Sequence, residues 1–476
     1  MFNLHALIKF WARKEPRLII HEMEGCKLIA DPFCGSGSSG FGAVLVNASA
    51  FLSDVNPVSV FIAYNVLNDE TLDTEVIETI KQVCYEIENE VYTLNGSKVS
   101  FAVWKSVYRC PFCSRAISLV PRRKTSCKNC GKTFLTKDVC VDEKLISLKF
   151  LAGRTSQSKK LINDYLSTEE ALKIKFWYPQ GKFVYPGTEI EFRNGPHKPI
   201  EIKDLFTKRN LYAVSKLYSH IEKIWKKNKS QGDLLKLVFI ASLANATKMM
   251  PHSKTSGPSW KIPRYWIPSL REERNFCRSF LRRLSLLASF KEKWSSIISN
   301  YQITVSFNGK IESSEKNFIH LCRANALDIH SDLPKLDLIV FDPPHYDEIN
   351  YFELTYLWQK WLEGRYRDDR FRDYDYWKNE ICVNRTVGKD LQWYNAQLYE
   401  IVSRYISRLR KNGKIILILH NKDRYVLRRT VRGVKEVAAS NFAIKTEYKF
   451  PKIPSSTQGL HGHKKYLCIV KMKRVN

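Results

Sequence analysis

Short apolar runs that end at an acidic residue predict the strands of an α/β sheet. Leu28-Ile29-Ala30 leads into Asp31, and the run from Leu338 to Phe341 leads into Asp342. Runs of this length without polar alternation are typical of parallel strands that are buried on both faces. Because ligands of open α/β sheets bind beyond the carboxyl ends of the strands, these two ends predict a ligand site.

Helical patterns and further apolar runs fill the chain between and after these strands. Apolar residues predict helices over 58–67, 75–94, 204–225, 234–250, 271–298, 351–362, 393–409 and 424–435, and strands at 318–322 and 414–419. The last two apolar segments, 442–450 and 465–472, predict a terminal antiparallel hairpin. Residues 141–203 show only glycine and proline turns between short apolar pieces, which indicate short strands. No function is assigned to this segment from its sequence.

A glycine-rich loop follows the first strand. Gly35 and Gly37 let the backbone approach a ligand closely, and Phe51-Leu-Ser-Asp54 ends a neighbouring strand in an acid that could accept both ribose hydroxyls. The order of strand, glycine loop, strand and acid therefore predicts a nucleoside site.

The loop after the later strand has a different chemistry. Asp342 offers a carboxylate, Pro343 and Pro344 fix the backbone beside it, and His345 and Tyr346 add flat rings. Hydrogen-bond acceptors beside a stacking ring suit an exocyclic amine on a planar base. An ordinary strand followed by a Pro-Pro turn is the alternative for this segment alone.

Two Cys-x-x-Cys pairs lie thirteen residues apart. Cys110, Cys113, Cys127 and Cys130 can surround Zn²⁺ tetrahedrally, and four thiolates are typical of a closed structural site. A redox pair is the alternative. The doubled spacing favours a zinc ribbon.

The charge of the chain indicates a polyanionic partner. Lys and Arg number 77 against 48 Asp and Glu, a net charge of +29. Such a basic surface gains affinity for nucleic acid by releasing counterions, although an organism with basic proteins in general is the alternative. The longest apolar stretch, 234–246, is shorter than the ~20 residues of a bilayer span, and basic residues interrupt the first seventeen positions. We therefore expect a cytoplasmic protein without a membrane partner.

One stretch interleaves aromatic rings with cations, as a site for unstacked or flipped bases would. Packing of these rings against the preceding helix is the alternative. The candidate nucleic-acid-binding residues are Trp260, Lys261, Arg264, Tyr265 and Trp266.

Several segments together resemble a known family. Asp31-Pro-Phe-Cys-Gly-Ser-Gly37 with Asp54-Val-Asn-Pro57 resembles the S-adenosylmethionine site of amino-group DNA methyltransferases, and Asp342-Pro-Pro-His345 resembles their Asp-Pro-Pro-Tyr catalytic loop. The longer match from Asp342 through Leu354 to Trp358 resembles a zinc-ribbon-containing group of prokaryotic DNA methylases. The similarity extends through 11–16, the cysteine pairs and 204–209, and His345 stands where the family has an aromatic residue.

This resemblance implies a Rossmann-like, seven-stranded class I methyltransferase sheet with a large α+β insertion that contains a zinc ribbon. It implies catalytic roles for Asp342, Pro343, Pro344, His345 and Tyr346. It also implies that S-adenosylmethionine contacts Lys14, Pro16, Asp31, Pro32, Phe33, Gly35, Ser36, Gly37, Asp54, Asn56 and Asp328; for Asp328 a helix cap is an equal alternative.

The predicted domain order follows from these assignments. Residues 1–67 form the first part of the methyltransferase domain and 316–476 form its second part with the catalytic loop. Between them lie a helix and zinc ribbon over 68–140 and a target-recognition region over 141–315, mainly helical in its second half.

The leading functional hypothesis is methylation of an exocyclic amine of a flipped base in double-stranded DNA. Adenine N6 is favoured over cytosine N4 because Asp opens the loop in this resemblance, and a restriction or defence-system partner is expected. Carbon-5 transfer normally needs a cysteine after a proline, and none of the 18 prolines precedes one. An RNA base-amine methyltransferase and a catalytically silent nucleic-acid-binding relative are the competing hypotheses.

Overall fold

The computed structural model of the 476-residue chain describes residues 7–8, 10, 17–117, 124–135, 139–182, 184–185, 188–189, 201–253, 257, 265, 267–308, 316–438, 442–449 and 466–474. The chain divides into two compact units. Unit 1 comprises Met1–Lys9, Leu72–Ser289 and Lys360–Tyr366, and unit 2 comprises Phe10–Thr71, Phe290–Gln359 and Arg367–Asn476.

Strands and helices are numbered along the described chain. The strands are β1 (Leu28–Asp31), β2 (Ser49–Asp54), β3 (Thr93–Leu94), β4 (Ser97–Arg109), β5 (Ala116–Ile117), β6 (Lys124–Ser126), β7 (Thr133–Leu135), β8 (Cys140–Phe150), β9 (Thr155–Ser156), β10 (Val184–Tyr185), β11 (Thr188–Glu189), β12 (Leu270–Arg274), β13 (Tyr301–Ser306), β14 (Asn317–Arg323), β15 (Leu336–Phe341), β16 (Leu409–Asn421), β17 (Phe442–Lys449) and β18 (Tyr466–Arg474). The helices are α1 (Arg17–Met23), α2 (Ser38–Leu45), α3 (Pro57–Leu67), α4 (Thr74–Val91), α5 (Lys159–Ala171), α6 (Lys208–Lys227), α7 (Lys229–Leu243), α8 (Phe276–Ile297), α9 (Tyr351–Glu363), α10 (Leu391–Ile406) and α11 (Arg424–Ala438).

Unit 2 is built on one mixed sheet. Its strand order is β13-β14-β2-β1-β15-β16-β18-β17, with parallel pairing from β13 to β16 and antiparallel pairing of β18 with both neighbours. Strand β1 pairs with β2 on one side and with β15 on the other, so the chain changes direction across the sheet at β1. A crevice for ligands forms at such a switch point.

The register of β1 against β15 is fixed by an acid at the start of β15. The Asp337 carboxylate accepts hydrogen bonds from the backbone N–H groups of Lys27 and Leu28, each at 2.9 Å, and from the Arg410 guanidinium at 2.8 Å. Ile29 then lies opposite Leu338. As a result β1 and β15 end side by side.

Glycines allow α2 to pack closely after β1. Gly37 has φ +87°, and a Cβ there would lie 3.1 Å from Ala63 Cβ on α3. A Cβ on Gly40 would lie 2.6 Å from Leu67 and 2.9 Å from Leu52 side-chain atoms. These glycines therefore set the distance of α2 from α3 and β2, which fixes the loop before α2.

The turn from β2 into α3 is a local consequence of the sequence Asn56-Pro57. The Asn56 side chain accepts the Val58 N–H at 2.9 Å, and Pro57 occupies the first helical turn, where its missing donor costs nothing. Asn56 also donates to Thr355 Oγ1 at 3.0 Å. The end of β2 is thus tied to α9.

Unit 1 contains a separate sheet in which β4 pairs with β12, β8, β3 and β5, while β6 pairs with β7 and β10 with β11. Its helices pack around Arg209, which is 1% exposed. The Arg209 guanidinium lies 3.2 Å from Glu273 and 3.6 Å from the centre of the Tyr165 ring. A buried charge of this kind needs such partners to offset its loss of hydration.

The predicted mixed α/β fold is confirmed, with differences in detail. The sheet of unit 2 has eight strands in the described residues where seven were predicted, because β13 pairs beside β14 at the edge. The sequence placed the return to this sheet at residue 316, after β13. The segment predicted as a helix from 271 begins as β12, since its first residues pair with β4, and becomes helical only at Phe276.

Two further segments differ from their predictions. The helix predicted over 234–250 is α7, which begins at Lys229 and ends at Leu243, followed by a single 3₁₀ turn. The region 141–203, predicted to hold only short strands, contains the long strand β8 and the helix α5. Within the described residues, no helix combines the length and the apolar composition that a bilayer crossing requires.

Candidate functional site

A cleft in unit 2 opens beyond the carboxyl ends of β1, β2 and β15. Asp31 and Gly35 from the loop after β1, Asp54 from the end of β2, and Asp342 and Pro344 from the loop after β15 all line it. Its empty space, including the part open to solvent, is about 920 Å³. The glycine loop and the Pro-Pro loop therefore share one cleft.

Asp31 organises the glycine loop. Its carboxylate accepts the Phe33 N–H at 2.9 Å and the hydroxyl of Ser39, and it is 3% exposed. Burial raises the pKa of Asp31 to about 7, against the opposing effect of these hydrogen bonds. The loop is consequently held in one shape before any ligand enters.

Asp54 closes the other side of the same loop. Its two carboxylate oxygens accept the N–H groups of Gly35 at 3.0 Å and Asn56 at 2.9 Å. Burial raises the pKa of Asp54 to about 6. Because a carboxylate oxygen can accept more than one hydrogen bond, Asp54 remains able to accept from a ligand hydroxyl.

The predicted cofactor residues divide into three groups. Those that line the cleft are Asp31, Pro32, Phe33, Gly35, Ser36, Asp54 and Asn56. Gly37 packs against α3, and Asp328 is exposed and does not line the cleft. Lys14 and Pro16 lie outside the described residues.

The wall near Asp328 is formed by its neighbours. Asn325 and Ala326, which follow β14, line the cleft, and the Asn325 side chain accepts the Leu327 N–H at 3.1 Å. The segment after β14 therefore contributes to the cleft through Asn325 and Ala326, and not through the predicted Asp328.

Four further cleft residues were not among the predicted site residues. Phe10 stacks on Tyr351, with ring centres 5.7 Å apart and an angle of 18° between the planes. Asn379 and Glu380 form part of the same lining. The aromatic pair resembles ordinary core residues in sequence, and Glu380 lies in an irregular segment without periodicity.

Glu380 holds the first turn of α9 beside the cleft. Its carboxylate accepts the N–H of Tyr351 at 2.6 Å and of Phe352 at 3.2 Å. Burial raises the pKa of Glu380 to about 7. An anion at a helix N-terminus is stabilised by the orphan N–H groups and the helix dipole. Tyr351 is thereby fixed in the cleft wall.

The Pro-Pro loop brings Asp342 and Pro344 to the cleft, whereas Pro343, which was also predicted to be catalytic, is buried and does not line it. The Pro344 carbonyl accepts the Tyr346 N–H at 3.0 Å and the Tyr394 hydroxyl at 2.8 Å. In the described part of the chain no donor reaches the Pro343 carbonyl. The side chain of Asp342, 19% exposed, lines the cleft beside it.

The two rings after the prolines point away from the cleft. Tyr346 has φ +54° and is 2% exposed, and its hydroxyl donates to Thr430 Oγ1 at 2.9 Å. His345 is also 2% exposed and packs on His420. Neither ring lines the cleft that Asp342 enters.

The predicted thiolate cluster is present in unit 1. The Sγ atoms of Cys110, Cys113, Cys127 and Cys130 all lie within 4.8 Å of one another, with 3.7 Å from Cys110 to Cys130 and from Cys113 to Cys127. Four sulfurs at about 2.3 Å from one ion in a tetrahedron lie about 3.8 Å apart. The group could therefore hold a metal ion such as zinc.

Both cysteine pairs have the same backbone structure. The Cys110 N–H donates to the Arg115 carbonyl at 3.0 Å, and the Cys127 N–H donates to the Lys132 carbonyl at 2.9 Å. The residue after each second cysteine, Ser114 or Gly131, has a left-handed φ. These turns aim backbone N–H groups at the sulfurs.

Those N–H groups favour the thiolate form. The Arg115 N–H lowers the pKa of Cys113 to about 6, and the Cys130 N–H lowers the pKa of Cys127. Thiolates are the form that binds metal. Against the effect of the Lys132 N–H, burial and the neighbouring thiols raise the pKa of Cys130 to about 11. The backbone N–H groups thus favour ionisation at Cys113 and Cys127.

Of the five predicted nucleic-acid-binding residues, Tyr265 lies within the described part of the chain. Tyr265 is 1% exposed, so its ring does not face solvent. Trp260, Lys261, Arg264 and Trp266 lie outside the described residues.

Comparison of the chain with models of protein families gives no match, and comparison with curated proteins finds no similar protein. The assignment of a function consequently rests on the geometry above.

We expect the purified chain to contain about one zinc ion, because the four sulfurs lie close enough together to share one metal ion. Cys127→Ser should lower the bound zinc and the melting temperature of unit 1, since a structural metal contributes its binding energy to folding. Metal analysis and thermal unfolding measure both effects. Cys26→Ser, outside the cluster, is the matched control. Full zinc content and unchanged unfolding in Cys127→Ser would contradict a metal site here.

Proposed function

We propose that the chain is an S-adenosylmethionine-dependent methyltransferase that acts on an exocyclic amine of a nucleic-acid base. The observation that carries this proposal is the shared cleft. The glycine loop with Asp54 and the Pro-Pro loop with Asp342 both line it, so a ligand on one loop would lie next to a ligand on the other. Neighbouring strand tips deliver both loops, so two ligands could meet there without a large movement of the protein. The strand order agrees with a Rossmann-like class I methyltransferase sheet that has one extra edge strand.

The residues of the glycine loop fit the proposed cofactor. Gly35 allows close backbone approach, Asp54 accepts from hydroxyl groups, and Asn325 offers an amide near the end of β14. Carboxylates in a buried wall also favour a ligand that carries positive charge. When bound, the cofactor would supply an electrophilic methyl group on a sulfonium.

Asp342 and the Pro343 carbonyl would grip the target amine. Each accepts one N–H, which draws the nitrogen toward tetrahedral geometry and frees its lone pair to bond to the methyl carbon. The sulfur of the bound cofactor would leave with the electron pair of its bond to the methyl group, and Asp342 or water would accept the proton that the nitrogen gives up. Positioning and a preorganised acceptor supply most of the rate.

Double-stranded DNA with adenine N6 as the acceptor is the proposed substrate, on the resemblance of the Asp-Pro-Pro loop. The net charge of +29 supports a nucleic-acid partner. RNA and a catalytically silent binding role are distinguished by the experiment below. Zinc as the metal, a cytoplasmic location and a restriction partner stay predictions.

The segment from Cys110 to Leu135, called the metal-binding segment below, supports a polyanion such as nucleic acid as the binding partner. Between Cys110 and Leu135 the chain has no acidic residue, and its cations are Arg115, Arg122, Arg123, Lys124, Lys128 and Lys132. Phe112 is 55% exposed, with the Lys132 ammonium 4.7 Å from its ring centre. An exposed ring beside cations suits a phosphate backbone and an adjacent base.

Methyl transfer is tested with cofactor labelled in its methyl group, incubated with duplex DNA or with total RNA. We expect label in DNA as N6-methyladenine. Asp342→Ala should lower the rate by at least about 100-fold, because it removes a preorganised acceptor, while cofactor affinity persists. Asp347→Ala, an exposed acid of the same loop, is the control. Label in RNA alone, no label with nucleic acid still bound, or an active Asp342→Ala would each overturn the proposal in this form.

Cofactor binding should depend on pH through Asp54. Its raised pKa of about 6 means that the free protein protonates this carboxyl as pH falls below 6, and a protonated carboxyl is a poorer acceptor for ribose hydroxyls. Affinity should therefore be full above pH 7 and fall by up to about tenfold for each pH unit below 6. Calorimetric titration from pH 5 to 8 measures this slope. An affinity that is flat with pH, or equal in Asp54→Asn, would count against the assigned role.

The cations of the metal-binding segment should contribute to DNA affinity. Lys128→Glu and Lys132→Glu should each weaken binding and reduce the slope of log affinity against log salt by about 1, because each substitution removes one cation that neutralises a phosphate. Fluorescence anisotropy with duplex DNA at several salt concentrations gives the slope. Lys81→Glu on α4 is the control for a change of charge alone. Equal slopes in all variants would exclude this segment from the DNA interface.

A further inference from the structure

The position of His345 raises a separate question about the Pro-Pro loop. A ring at this place in the loop is expected to stack on the target base. In the structure the His345 side chain is 2% exposed and does not line the cleft. Stacking on a base would require the imidazole to leave its buried site.

His345 instead lies next to the Asp342 side chain, outside the cleft lining. Its Nε2 atom is 3.5 Å from Asp342 Oδ1, a long separation that is common for such groups before substrate binds. Asp342 itself lines the cleft. An Nε2–H that donates to one carboxylate oxygen would leave the other oxygen to accept from a ligand.

Two further groups hold the imidazole from behind. The His420 ring, at the end of β16, has its centre 3.4 Å from that of His345 at an angle of 42°. His420 Nδ1 in turn lies 3.4 Å from Glu348 Oε2. Two imidazoles in such close contact oppose double protonation, and each has a carboxylate nearby, Asp342 for His345 and Glu348 for His420.

We propose that His345 is a positioning residue, which orients the Asp342 carboxylate toward the target amine and does not stack on the base. This inference rests on the proposed function. It assigns a role to His345, which occupies the position of Tyr in the Asp-Pro-Pro-Tyr loop. His420 and Glu348 fix the ring, as a third group orients the base of a catalytic pair. Asp342 of its own loop lies 3.5 Å from His345 Nε2, and the His420 ring of β16 packs against His345 with Glu348 beside its Nδ1.

The test replaces His345 by the ring that stacking would prefer and by a side chain that keeps the donor. His345→Tyr should lower kcat by about 10- to 100-fold, because Asp342 loses its orientation, with KM for DNA and cofactor affinity nearly unchanged. His345→Gln places an amide N–H near the Nε2 position, so it should recover part of kcat. Since an amide does not titrate, the part of the kcat–pH profile that reports the imidazole should disappear. His21→Tyr, on the exposed face of α1, is the control.

The outcomes separate the two proposals. Full activity in His345→Tyr, or a pH profile of His345→Gln identical to that of the wild type, would overturn the positioning role while methyl transfer stands. If the wild type transfers no methyl group, the proposed function fails, and the pairing of His345 with Asp342 is judged by NMR titration of the His345 ring. Asp342→Asn should then lower the pKa of His345, because a neighbouring carboxylate favours the charged ring. An unchanged His345 titration would overturn the pairing as well.

Discussion

The parallel pairing of β1 with β2 and β15 is the constraint on which the site depends. Parallel neighbours end at the same edge of a sheet, so the acids that end β1 and β2 and the loop after β15 must come together. Asp337 secures this arrangement because its carboxylate binds the first N–H groups of β1. Without that register the glycine loop and the Pro-Pro loop would not open on the same space.

The chemistry of the cleft follows from the burial of its acids. Asp31, Asp54 and Glu380 are held by backbone N–H groups, and burial nevertheless raises the pKa of each. The ionised form of such a buried carboxyl group is stabilised by a ligand that brings positive charge or hydroxyl donors. Perturbed acids that gather in one concave site are typical of binding and catalysis, although structural acids share this property. Glu380 combines a structural role with a place in the site, since it accepts the first N–H groups of α9 and also lines the cleft.

Much of this arrangement could be predicted from local sequence. Apolar runs that end in acids predicted the central strands, the apolar residues of 58–67 predicted α3, and the spacing of the cysteines predicted the thiolate cluster. Each of these signals is local, because a strand, a helix or a knuckle is specified by a few adjacent residues.

What the sequence could not supply depends on contacts between distant residues. Gly37 serves the packing of α2 on α3, which no reading of its own loop could reveal. Phe10 and Tyr351 meet only in the folded chain. His345 is buried against His420, 75 positions later in the numbering. The start of α8 was misplaced because pairing with β4 overrides the helical pattern of 271–274.

The most direct test of the account is a crystal structure of the chain with S-adenosylhomocysteine. The account predicts the adenosine against Gly35 and Asp54, with the sulfur directed toward the Asp342 carboxylate and the Pro343 carbonyl within the same cleft. A ligand bound elsewhere, or one whose sulfur points away from Asp342, would contradict the claim that methyl donor and amine meet at these strand ends.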